Sequence, residues 1–182
     1  ALENHGQAVW LDFLARGFVA KGDLQALIET DGVKGVTSNP SIFEKAIANG
    51  REYDAEIQAI VARGERDPLA VYEEVAVADI RQAADQLAAV YRRTHCQDGY
   101  VSLEVSPELA EDAAGTLAEA RRLWTEVGRA NLMIKVPGTR TCLPVIRTLL
   151  AEGINVNITL LFAKEAYSLV AEAYISALEE RL

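Results

Sequence analysis

One lysine sits where a lysine needs a reason. In Leu132-Met133-Ile134-Lys135-Val136-Pro137 the amine is set within an apolar run of strand length. Burying an ammonium is costly, and desolvation favours the neutral amine. A neutral amine attacks a carbonyl carbon and forms an imine. Making an imine, and breaking a carbon–carbon bond through it, both require protons to move to and from oxygen. Two carboxylates in comparable settings supply that function: Asp12 in Trp10-Leu11-Asp12-Phe13 and Glu104 in Ser102-Leu103-Glu104-Val105. The amides and hydroxyls of the same strands, among them Thr37, Asn39, Asn157 and Thr159, suit a polyhydroxylated ligand. A blander alternative is that Lys135 is paired with Glu104 and does no chemistry, since structural ion pairs also hold lysines in strands.

These residues lie on a repeating pattern. Apolar segments of strand length, residues 9–13, 35–39, 100–105, 132–136 and 154–161, alternate with helical periodicity such as Ala113, Leu117, Ala120 and Trp124, or Val170, Ala173, Tyr174, Ala177 and Leu178. That alternation predicts an α/β fold built of βα units. Side chains alternate between the two faces of a strand. Asn155, Asn157 and Thr159 therefore oppose Val156, Ile158 and Leu160, and Met133 and Lys135 oppose Leu132, Ile134 and Val136. The same split recurs in the other three strands. A doubly wound parallel sheet is covered on both faces and reads as apolar throughout. Polar on one face and apolar on the other suits a (β/α)8 TIM barrel with its site inside, where catalytic residues stand at the C-terminal ends of strands. Asp12, Asn39, Glu104, Lys135 and Asn157 fall in the C-terminal halves of theirs.

Composition narrows the partners. The 182 residues are half hydrophobic and a quarter charged, enough for a sizeable core, with no low-complexity tract or linker. With 27 acidic against 18 basic residues the net charge is −9, and no basic cluster offers a surface for nucleic acid or anionic membrane. No apolar run approaches the ~20 residues of a membrane span, and the first residues lack a signal-peptide pattern, so a cytoplasmic location is expected. Cys96 and Cys142 have no partner pattern for a disulfide or a zinc site and read as free thiols. His5 and His95 stand in polar surroundings and no metal site is expected. Gly32 and Gly35 read as turn residues, the stretch 51–66 as a solvated helix face, and Tyr100 and Phe162 as core.

Three segments resemble the transaldolase family: Gly35-Val36-Thr37-Ser38-Asn39-Pro40-Ser41-Ile42-Phe43, Asn131-Leu132-Met133-Ile134-Lys135-Val136-Pro137, and Gly153-Ile154-Asn155-Val156-Asn157-Ile158-Thr159-Leu160-Leu161-Phe162. They occur in the family's order, with resemblance across nearly the whole chain. The resemblance implies that Lys135 forms a Schiff base with a ketose carbonyl and that Asp12 moves the proton of the donor hydroxyl. It implies that Glu104 acts through a water held with Thr159, and that Asn39 and Asn157, with Thr37 behind them, hold the dihydroxyacetone unit. The implied reaction carries that unit from fructose 6-phosphate or sedoheptulose 7-phosphate to an aldose phosphate, as in the pentose phosphate pathway, with sugar phosphates as partners and no cofactor.

The chain departs from the family in two respects. Cys142 stands where the family has a Gly before its Leu-Pro pair, here Leu143-Pro144, so the start of that helix is expected to differ. The family's phosphate-binding serine and arginine lie on later strands, beyond Leu182. A barrel of this class takes eight strands in roughly 250 residues, and five are recognisable, so residues 1–182 are expected to be the N-terminal part of a barrel domain. Two alternatives remain: a class I aldolase acting on dihydroxyacetone or fructose 6-phosphate, and a non-catalytic partial barrel whose open sheet edges drive association into a homo-oligomer.

Overall fold

The computed structural model describes residues 2–182. Strand and helix alternate along it. Strand β1 (Val9–Leu11) leads to α1 (Arg16–Ala20) and α2 (Asp23–Thr30), and β2 (Val33–Thr37) to α3 (Pro40–Asn49), α4 (Asp54–Ala62) and the long α5 (Pro68–Arg93). Then follow β3 (Tyr100–Glu104) with α6 (Ala113–Val127), β4 (Leu132–Pro137) with α7 (Leu143–Ala151), and β5 (Val156–Thr159) with α8 (Lys164–Arg181). This is the α/β architecture expected, five βα units of the (β/α)8 barrel type.

Two compact units make up the chain, residues 1–101 with 129–131, and residues 102–128 with 132–182. In the first, β1 and β2 pair in parallel with Trp10 opposite Gly35 and Leu11 opposite Val36. The Gly99 amide donates to the Lys34 carbonyl at 2.7 Å and carries the ladder to the opening residues of β3. The core of this unit is a stripe on α5 at three- and four-residue spacing, Val75, Ala76, Ile80, Ala83, Ala84, Leu87 and Val90, all buried. Local chemistry starts the helix: Asp67 accepts the Leu69 amide at 3.1 Å and Pro68 occupies the first turn.

In the second unit β4 and β5 pair in parallel, Ile134 opposite Val156, Lys135 opposite Asn157 and Pro137 opposite Thr159. The Val105 amide donates to the Lys135 carbonyl at 3.2 Å and joins the end of β3 to β4. Leu132, Ile134 and Val136 on one face of β4 are fully buried. Asp112 caps α6 by accepting the Gly115 amide at 2.9 Å, and Gly128 ends it with a positive φ of 61° that a Cβ would strain.

Several expectations change. Strand β1 ends at Leu11 and β2 at Thr37, so Asp12 lies on the loop after β1 and Asn39 caps α3. Strand β5 is shorter than its apolar run: it spans Val156–Thr159 and ends where Leu160 turns to φ 61°, while just before it the Asn155 side-chain amide donates to the Leu132 carbonyl at 2.9 Å. Gly32 has the positive φ of a turn, but Gly35 lies in mid-strand, where a Cβ would come within 2.3 Å of the Trp10 indole on the neighbouring strand. It is a packing glycine. Phe162 is 90% exposed, not core, while Tyr100 is half-buried, edge-on to Tyr91 at 5.3 Å. On α8 only Val170 and Ala177 of the apolar set are buried, and Tyr174 and Leu178 are exposed. The stretch 51–66 is largely a solvated face, but Tyr53 within it is completely buried. Cys142 enters α7 with φ −88° and ψ −6°, ordinary right-handed geometry that needs no glycine, and its buried thiol donates to the Ala110 carbonyl at 3.5 Å. No helix among the described residues is long and apolar enough to cross a membrane.

Candidate active site

The second unit gathers five of the polar strand residues on one face. Lys135 is the fourth residue of β4 and 8% exposed. Its Nζ lies 3.2 Å from Oε2 of Glu104, the last residue of β3. Register places Asn157 directly beside Lys135, and because side chains alternate, Thr159 two residues on shares its face. Ser102 completes the group: its hydroxyl donates to Asn157 Oδ1 at 3.1 Å. Ser102 and Asn157 belong to the strands on either side of β4, whose backbones in a flat sheet stand about 10 Å apart at ~4.8 Å per strand. Their contact reports three strands curled towards this face, as barrel closure requires.

Each polar group here has its role narrowed by its partners. Glu104 stands beside the amine, at the end of its strand, where a carboxylate can exchange a proton with Lys135 or with a water. With Oδ1 of Asn157 occupied by Ser102, the amide offers its NH2 to a ligand. Thr159 Oγ1 is buried without a hydrogen-bond partner among the described residues. Such an atom costs ~1–3 kcal/mol unless a ligand or water satisfies it. The Lys135–Glu104 pair accords with the ion-pair reading as well as with the imine reading. What the ion pair alone does not explain is the oriented amide and the orphaned hydroxyl beside it.

The first unit carries the other three residues. Thr37, half-buried, closes β2. Asn39 Oδ1 accepts the Ile42 amide at 3.0 Å as the N-cap of α3, with Pro40 following. As with Asn157, the oxygen is engaged inside the protein and the NH2 is the donor left for a ligand. Asp12 is exposed and opens into a cavity lined by Phe13, Ile42, Lys45, Asn49 and Glu52.

The structure adds residues that the pattern of types had not singled out. Ser102 was legible as a polar residue on Glu104's face, two positions upstream, but its partner was not. Just after the Asp12 loop, Arg16 bonds Asp79 through Nε at 2.7 Å and pairs with Glu56, and Tyr53 donates to Asp79 Oδ2 at 2.8 Å. Burial pushes the Asp79 carboxyl above its ordinary pKa, although Arg16 and Tyr53 pull it down. Burial also lifts the Tyr53 phenol well above its usual range. The one available signal was an acid on the apolar stripe of α5, next to Ile80.

Comparison with known proteins adds a family. The family model described as Transaldolase/Fructose-6-phosphate aldolase matches residues 9–179. Transaldolase 2 of Nostoc punctiforme is 49% identical over 181 residues, covering all of this chain and 47% of the relative. The transaldolase of Trichodesmium erythraeum is 47% identical over 180 residues, 99% of this chain and 47% of the relative. That of Mycobacterium leprae is 46% identical over 180 residues, 99% of this chain and 48% of the relative. The chain spans about half the length of the curated relatives it matches.

Proposed function

The chain belongs to the transaldolase/fructose-6-phosphate aldolase family, and on that premise we propose that it carries the Schiff-base half of a transaldolase acting on sugar phosphates. The observation that carries the reading is the amine of Lys135, 3.2 Å from the Glu104 carboxylate and beside the amide of Asn157. Lys135 attacks the C2 carbonyl of a ketose phosphate, and loss of water leaves a protonated imine. Glu104, working with Thr159 through a water, moves the protons of that step. Asp12 takes the proton of the C4 hydroxyl while the C3–C4 bond breaks and its electron pair moves into the imine. An aldose phosphate departs, and a three-carbon enamine stays on Lys135. Asn39 and Asn157 donate to its hydroxyls, with Thr37 behind them.

The enamine then attacks the aldehyde of a second aldose phosphate, Asp12 returns the proton, and hydrolysis frees the new ketose. The imine is the electron sink and no net oxidation occurs, so the sequence balances on these side chains alone. The transferase reading is favoured over the plain aldolase because the relatives named above are transaldolases.

The test is borohydride reduction of the intact protein with fructose 6-phosphate, followed by peptide mass spectrometry. An adduct on the Lys135 peptide, absent in Lys135→Ala, is expected. An adduct on another lysine, or none on folded protein, sinks the proposal. Adding erythrose 4-phosphate separates the two activities: a transferase makes a seven-carbon ketose phosphate, whereas an aldolase releases free dihydroxyacetone whether or not an acceptor is present.

A further inference from the structure

Helix α1 begins without a local cap. Its N-cap residue is Ala15, whose methyl group accepts no hydrogen bond. The Arg16 amide is instead taken by the hydroxyl of Tyr53, 37 residues away, at 2.9 Å. That hydroxyl donates in turn to Asp79 Oδ2 at 2.8 Å, and Asp79 Oδ1 accepts Arg16 Nε at 2.7 Å. The Arg16 guanidinium also lies over the Tyr53 ring, 4.8 Å from its centroid. Three elements, α1, the turn before α4, and α5, are tied at one point, and Tyr53 and Asp79 are buried there.

The four residues between this knot and β1 are Asp12 to Ala15. Their upstream end is fixed by Leu11 pairing with Val36, and Leu14 within them is fully buried. Only their downstream end depends on the knot. We propose that Tyr53, oriented by Asp79, is a positioning residue: it caps α1 from a distance and thereby sets the loop that presents Asp12. This inference rests on the reading of Asp12 as the group that moves the proton during carbon–carbon cleavage. A hydroxyl and a carboxylate in a knot behind the loop touch no substrate. They act by holding the loop in one geometry, and a shift of about 1 Å at a proton-transferring group can cost ~100-fold in rate.

Imine formation at Lys135 does not require Asp12 in the proposed mechanism, whereas cleavage does, and the two steps can be read separately. In the intact protein, Tyr53→Phe is expected to trap dihydroxyacetone on Lys135 under borohydride to within about twofold of wild type. Single-turnover cleavage of fructose 6-phosphate, scaled to the trapped fraction, is expected to slow by roughly tenfold to a hundredfold. Because Tyr53 acts through Asp12, the double variant Tyr53→Phe/Asp12→Asn is expected to be no slower than Asp12→Asn alone.

A merely structural role lowers trapping and cleavage together and multiplies with Asp12→Asn, and that result overturns the proposal. Full-rate cleavage by Tyr53→Phe beside a slow Asp12→Asn also overturns it, with the reading of Asp12 left standing. Full-rate cleavage by Asp12→Asn removes the premise and the proposal together. Should Tyr53→Phe not fold, Asp79→Ala, which removes the acceptor that orients the same hydroxyl, is scored by the same criteria.

Discussion

Replacing Glu104 with Gln, or Lys135 with Met, breaks a charged pair inside the second unit. At 3.2 Å and an effective dielectric constant of about 20, the gross attraction is roughly 332/(20 × 3.2), about 5 kcal/mol. Desolvation of the two charges offsets much of this. Removing one partner of a fully buried pair costs ~3–5 kcal/mol. Here the side chains are 10% and 21% exposed, so water screens part of the remaining charge. Each single variant is therefore expected to lose about 1–3 kcal/mol of unfolding free energy in urea. The double variant is expected to lose less than the sum by about 1 kcal/mol or more, since the second substitution removes a contact that the first has already broken. Trapping separates structure from chemistry in the same proteins: Lys135→Met forms no adduct, whereas Glu104→Gln forms it slowly. Additive losses, within ~0.5 kcal/mol, would refute the coupling drawn from the distance.

Gly35→Ala places a methyl group against the Trp10 indole and is expected to cost about 1–3 kcal/mol by overpacking, with a shift in Trp10 emission; an unchanged spectrum and urea midpoint would contradict the packing role. Burial raises the Asp79 pKa from 3.8, so the folded protein holds that proton more tightly than the unfolded chain. Asp79's contribution to stability therefore declines as pH rises from 3.8 through the raised value, and Asp79→Asn is expected to remove that decline from the pH profile of urea midpoints; superimposable slopes would speak against it. Asp85 has the opposite sign: its hydrogen bond from Arg129 lowers the pKa, giving stability that is present above 3.8 and lost as pH falls. The effect is at most ~1 kcal/mol for so exposed a pair, and Asp85→Asn is expected to abolish it in the same profile. An aqueous thiol reagent is expected to label the exposed Cys96 in the native protein and spare Cys142 until denaturation, as read from the two peptides.

The amino-acid sequence by itself determined what depends on near neighbours. Two-residue alternation put Lys135, Glu104, Asn157 and Thr159 on the polar faces of their strands, and three- and four-residue spacing marked the helices between them. Those periods are set by backbone geometry, so the types of successive residues suffice to read them. Cap chemistry such as Asn39-Pro40 and Asp67-Pro68 is equally local, although the cap at Asn39 was legible only as a polar residue near a strand end. Tertiary structure decided which of those groups meet. The register of β4 against β5, the Ser102–Asn157 bond across 55 residues and the Tyr53 hydroxyl capping a helix 37 residues upstream join positions far apart in the chain. Nothing in the residues between such positions specifies the contact. It arises because a buried amide, hydroxyl or carboxylate must find a partner among whatever the packed elements bring near, and only the completed packing settles which partner that is.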